Sequence, residues 1–117
     1  MKTPSRKIIP ALFYRTAAGN EPVREWLKGL DTEDRRIIGI DVRTVEFGWP
    51  VGMPVCRPLG EGLFEVRSSI TQKRIARVLF CIHGGNMALL HGFVKKTQAT
   101  PDTDLDTALK RKQEIEQ

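Results

Sequence analysis

Residues 63–101 read LFEVRSSITQKRIARVLFCIHGGNMALLHGFVKKTQATP, and the fold follows from how this stretch divides into strands. Gly84-Gly85 separates two runs rich in branched and aromatic residues. That is a strong signal for a two-residue hairpin turn, since both positions tolerate positive φ. Residues 73–83 and 86–96 are therefore predicted to pair as a hairpin, with residues 63–68 as the strand before them. The same stretch holds six basic side chains (Arg67, Lys73, Arg74, Arg77, Lys95 and Lys96) against one acid, Glu65. Residues 1–62 carry ten bases and eight acids, and residues 102–117 three and five. The two flanks cancel, so the chain's net charge of +5 rests on the predicted sheet. Such a surface suits a polyanionic partner, most commonly phosphate backbone. A solvated face kept charged for solubility is the competing reading.

Residues 7–15 (KIIPALFYR) favour a strand that lies at an edge or begins after Pro10, because proline cannot donate to a ladder. Asn20 and Pro22 open a short amphipathic helix with Val23, Trp26, Leu27 and Leu30 on one face, ended at Gly29. Asp31 opens a second helix that buries Ile38, Val42 and Val45 and stops at Gly48 and Pro50. The two form a helical hairpin that covers one face of a sheet. Residues 49–62 contain three prolines and three glycines (Gly52, Gly60 and Gly62), so a long loop is expected there, with Arg57 as its one base. Thr100 and Pro101 start a last helix on which Leu105, Ala108, Leu109 and Lys112 share a face. The order is β-α-α-β-β-β-α with an antiparallel sheet, an α+β class, in one domain spanning residues 1–117. Cys56 and Cys81 lack the spacing of a zinc site or a disulfide framework, and the N-terminus is neither a signal peptide nor a membrane span. A cytoplasmic protein is expected.

Strand alternation then assigns faces. With Gly84-Gly85 as the turn, His83 pairs with Asn86, Leu79 with Leu90 and Arg77 with Gly92; Phe64 and Val66 are aligned with Val78 and Ala76. One face holds Phe64, Val66, Ala76, Val78, Phe80, Leu89, His91 and Phe93, and the other Glu65, Arg67, Arg77, Leu79, Leu90, Gly92, Val94 and Lys96. Arg67, Arg77 and Lys96 thus flank a bare glycine, a gap that a phosphate and its sugar could enter. Pairing of Arg77 with Glu65 is the alternative use of that arginine. His91 falls by parity on the core face, which favours a satisfied core or boundary imidazole over a catalytic one.

The strings GLFEVRSS, RIARVLF and LLHGFVKKTQATP followed by DLDTALKRK, with EPVREWLKGL and FGWPVGMP upstream, resemble the HigB/RelE-like toxins of type II toxin-antitoxin modules. The likeness is to their phage-derived, host-killer-like branch within the RelE/ParE superfamily, and it spans nearly the whole chain. It implies a ribosome-dependent messenger RNA endonuclease, neutralised by a cognate helix-turn-helix antitoxin of the HigA type, with no membrane partner and no small-molecule cofactor. It also implies that Arg67, Arg77 and the pair Lys95 and Lys96 line the RNA site. Relatives carry a base-stacking tyrosine on the C-terminal segment, whereas the single tyrosine here is Tyr14. That departure keeps His91, Thr97 and Gln98 as candidates, and Arg57, Lys73 and Arg74 join Thr97 and Gln98 as RNA-contacting residues.

Metal-free RNA cleavage needs a base for the 2′-hydroxyl proton, cations for the pentacoordinate phosphorus and an acid for the leaving 5′-oxygen. The basic stretch offers no Asp/Glu/His cluster of the kind a two-metal nuclease uses. Arg67 and Arg77 are assigned to phosphate stabilisation, and Lys95 or Lys96 to proton transfer, since crowding by cations lowers a lysine pKa. His91 is the rival base. A ParE-like inhibitor of DNA gyrase and an inert module that binds RNA or antitoxin are the alternatives.

Overall fold

The computed structural model describes residues 6–95 and 100–117, with the backbone alone of Lys95. The elements are β1 (Ala11–Phe13), α1 (Pro22–Lys28), α2 (Thr32–Gly48), β2 (Cys56–Gly60), β3 (Leu63–Ile70), β4 (Arg74–His83), β5 (Asn86–Lys95) and α3 (Asp102–Glu116). The five strands form one sheet in the order β1-β5-β4-β3-β2. The class is α+β as predicted, with two corrections to the sheet.

First, the proline-rich stretch is not all loop: its second half forms β2, antiparallel to β3. Being outermost, β2 tolerates Pro58, whose missing N–H is needed only inside a sheet. A register shift between Pro58 and Gly60 precedes the strand's last pair, Gly60 with Leu63, and Gly60, Glu61 and Gly62 turn the chain with positive φ. Second, the sheet is mixed, because β1 runs parallel to β5 at the opposite edge. Parallel neighbours require a long crossover, and all the other strands and both hairpin helices lie between these two in sequence.

The helices take opposite faces. Val23, Ile38 and Val45 from α1 and α2 pack with Val66, Ala76, Val78, Phe80, Met87 and Leu89 on one side. Ala108, Leu105, Leu109 and Ile115 of α3 pack with Tyr14, Leu63, Leu79, Cys81, Leu90 and Phe93 on the other. The sheet is thus sandwiched, and the face predicted to be open is partly roofed by α3.

Both predicted registers shift. Between β3 and β4 the partners are Phe64 with Phe80 and Val66 with Val78, two residues from expectation with the faces unchanged. The expected alignment would leave one residue to turn the chain. The observed one leaves Thr71, Gln72 and Lys73, the last two with positive φ. Between β4 and β5 the pairing holds from His83–Asn86 to Phe80–Leu89 and then slips, so that Leu79 opposes His91 and Arg77 opposes Phe93. Leu90 is the extra residue of a β-bulge. Every residue after it changes face: His91 and Phe93 join the α3 side, while Gly92 and Val94 join the side of the helical hairpin.

The bare position at Gly92 is therefore not a nucleotide gap beside Arg77. A Cβ there would lie 2.3 Å from Cε3 of Trp26, so the α1 indole occupies the space. Gly92→Ala is expected to lower stability by about 1–3 kcal/mol through overpacking, measurable by urea unfolding.

Asp34, at the start of α2, fastens the hairpin to the β3–β4 turn. Its carboxylate accepts the Thr71 N–H at 3.0 Å and the Thr71 hydroxyl at 2.8 Å, and pairs with Arg74 at 2.7 Å. The Thr71 amide, helped by the Thr71 hydroxyl and Arg74 and opposed by burial, holds this carboxyl below its ordinary range. A carboxyl with a lowered folded pKa stabilises fully above its unfolded value of about 3.9 and loses that contribution as pH falls through the folded value. Unfolding midpoints measured from pH 7 down to pH 2 should fall less steeply below about pH 4 in Asp34→Asn than in the wild type, from a lower starting stability.

Candidate functional site

On the α3 side of the sheet, strand alternation brings Arg57 of β2, Glu65 and Arg67 of β3 and Arg77 of β4 together. Arg57 is the direct partner of Glu65, and Arg67 of Arg77. Like charges placed opposite each other repel, and the carboxylate of Glu65 offsets this. It lies 3.2 Å from Nη2 of Arg57, 3.7 Å from Nε of Arg67 and 4.0 Å from Nη1 of Arg77. Thr100, just before α3, donates its hydroxyl to Glu65 at 2.6 Å and accepts from Arg57 at 3.4 Å and Arg77 at 3.5 Å. The Thr100 hydroxyl is thus spent on the cluster, and Pro101 takes the cap position of α3 without a side-chain hydrogen bond.

The group is graded in depth. The side chains of Glu65 and Arg77 are 0% exposed, Arg67 is 16% exposed and Arg57 31%. Burial pushes the Arg77 guanidinium pKa down, Glu65 pulls it back up, and Arg67 and Arg57 push it down further. Three guanidiniums meet one carboxylate, so the formal charge of the group is positive, and it faces water through Arg57 and Arg67. Guanidinium forks of this kind grip phosphate or carboxylate oxygens in paired hydrogen bonds.

His91 lies on the same sheet face but is engaged by α3. Its Nε2 is 2.6 Å from Oδ1 of Asp104, and its Nδ1 is 3.4 Å from Nη1 of Arg111, which donates to the Leu90 carbonyl at 2.8 Å. Phe93 stacks on the imidazole at a centroid separation of 5.5 Å. With Asp104 accepting from Nε2–H, the Nδ1 lone pair faces a guanidinium donor. The imidazole is a helix-to-sheet tether, not the hairpin-face core residue that parity suggested.

The other candidates are spread. Arg74 is tied to Asp34 on the opposite face of the sheet, and Lys73 is exposed in the β3–β4 turn. The backbone register pairs Lys95 with Ile75. Lys96, Thr97 and Gln98 lie outside the described residues. Sequence reasoning brought Arg67 and Arg77 together. It missed the central place of Glu65, the part played by Thr100 and the tether residues Asp104 and Arg111. Glu65 had one legible signal: it is the single acid in a basic stretch, two residues from Arg67 and so on the same strand face.

The family model described as "Phage derived protein Gp49-like (DUF891)" matches residues 25–113, which include α2, α1 from its second turn onward, β2 to β5 and most of α3. The chain belongs to this Gp49-like family, which is associated with RelE/HigB-type toxins. No curated protein is similar enough to the chain to match it. Among the described residues no helix is long and apolar enough to cross a membrane.

Removing one partner of a buried charge group strands the others. Glu65→Ala should therefore cost about 3–5 kcal/mol in urea unfolding. Glu65→Gln, which retains an acceptor for Thr100, should cost less. A change near zero in both would show that the arginines do not depend on this carboxylate.

Proposed function

We propose that the protein is the toxin of a type II toxin-antitoxin module and acts as a ribosome-dependent messenger RNA endonuclease. The observation that carries this reading is the Arg57–Glu65–Arg67–Arg77 group, with its surplus of guanidinium charge and its graded opening to water. Membership of a family associated with RelE/HigB-type toxins supports it.

In the proposed reaction the 2′-hydroxyl attacks the adjacent phosphorus and the 5′-oxygen leaves, with no metal in the step. Arg67 and Arg57, the two partly exposed members of the group, take the phosphate oxygens and stabilise charge as it builds on the pentacoordinate phosphorus. Arg77 stands behind them, adding positive potential without reaching solvent. A lysine of the pair Lys95 and Lys96 remains the proposed base, with Thr97 and Gln98 as neighbouring RNA contacts. His91 is the weaker candidate because Asp104 and Arg111 engage both of its nitrogens. The proposed partners are messenger RNA on the ribosome and a HigA-like helix-turn-helix antitoxin, and the proposed compartment is the cytoplasm. The complete burial of Arg77 and Glu65 also suits a binding module without chemistry, and one experiment separates the two.

Primer extension on transcripts isolated after induction should reveal new 5′ ends inside translated frames, and these should vanish when initiation is blocked. Arg67→Ala should reduce cleavage about tenfold or more, through lost transition-state stabilisation, and Arg67→Lys should restore part of it. Growth arrest with intact transcripts and a DNA-damage response would point instead to gyrase inhibition. Absence of both would leave the binding module.

A further inference from the structure

At the sheet edge farthest from Arg57, β1 is three residues long and carries apolar side chains into water. Leu12 is 51% exposed and Phe13 37%, and Ile8 just upstream is 52% exposed. Tyr14 donates its N–H to the Leu89 carbonyl, so the peptide groups of Phe13, one residue earlier, turn away from the sheet, whereas the outward N–H of Ala11 is already taken by Oε2 of Glu46 at 2.6 Å. An edge of this kind is a template for strand addition.

Grooves flank it on both sides. One, of about 320 Å³, lies between β1 and α2 and is walled by Ala11, Phe13, Leu27, Ile38, Val42 and Leu89, with Arg35 at its rim. The other, of about 240 Å³, lies on the α3 side beside Leu12, Ala88 and Ile115, with Arg15 at its rim. Gly39 also lines the first groove. Glycine inside a helix costs about 1 kcal/mol relative to alanine, yet a Cβ at Gly39 would meet nothing within 4 Å. Packing within this chain does not require the glycine, whereas an entering side chain gains width from it.

Charge decides what the occupant is. Arg15 and Arg35 stand at the groove rims and Arg6 lies just upstream, while Lys7 is already paired with the buried carboxylate of Glu46 at 3.0 Å. A second copy of the chain would bring a like-charged edge to this one, whereas an acidic segment is attracted. We propose that β1 is a docking edge for an extended, acidic segment of a protein partner, added as a strand whose apolar side chains alternate into the two grooves. So short a strand offers few main-chain hydrogen bonds, so the grooves supply most of the affinity and Arg15 and Arg35 the selection for acid. Docking here leaves the arginine group uncovered, because β5 lies between β1 and β4, the nearest strand that carries a member of it.

Selection of a random peptide library displayed on phage against the immobilised full-length protein tests this. Enriched peptides should alternate apolar residues between flanking Asp or Glu. Their affinity should fall about tenfold or more for Leu12→Glu and for Gly39→Leu, and also for the surface reversal Arg15→Glu, with thermal melts confirming that the variants fold. Three outcomes would overturn the proposal: no enrichment, enriched peptides that bind the variants undiminished, or a concentration-dependent dimer that Leu12→Glu abolishes. Transcript cleavage by Leu12→Glu in the absence of a partner should match the wild type, so failure here is distinguishable from failure of the nuclease reading.

Discussion

A carboxylate without access to water holds this molecule's chemistry in place. Glu65 and Arg77 are both fully buried, a costly arrangement for charged groups unless each finds partners. Arg57 and Arg67 supply more positive charge than one carboxylate neutralises, and they reach toward solvent. Thr100 ties the entry of α3 to the same carboxylate, so one group fixes three strands and the approach to the last helix. Repulsion between Arg67 and Arg77 alone would splay the face. With Glu65 between them, a surface forms whose surplus of positive charge attracts anions.

Most of the layout could be read in the residues, and the parts that could not have specific causes. Hydrophobic spacing marked α1, α2 and α3, and the Gly84-Gly85 pair located the hairpin and its first pairings. The bulge at Leu90 was illegible: Leu89-Leu90 fits uninterrupted alternation as well as interrupted alternation, and which one holds depends on Trp26 filling the space over Gly92. One extra residue moved His91 and Phe93 to the other face, and the predicted gap beside Arg77 disappeared. Strand β2 was hidden because proline and glycine read as loop unless the strand is known to be outermost. Without β2, Arg57 had no neighbours, and Glu65 could be recognised as a partner of Arg77 but not as the hub of three arginines.

The two edges of the sheet are built differently. Around β2 to β4, polar groups are concentrated and a carboxylate restrains surplus cations. Around β1, apolar side chains stand in water beside grooves with cationic rims. The sheet separates the two regions, so a partner at one need not obstruct the other. In a toxin restrained by an antitoxin, that separation would allow capture to precede inhibition.

Whether the Glu65-held arginines receive RNA is decided by a titration with a short RNA whose 2′-hydroxyls are replaced by hydrogen to prevent cleavage, followed by NMR of the arginine Nε–H resonances. Arg57 and Arg67 should shift together in a saturable manner, added salt should weaken the effect, and Glu65→Gln should change both responses. Saturable binding that moves other arginines while leaving Arg57 and Arg67 unperturbed would contradict it.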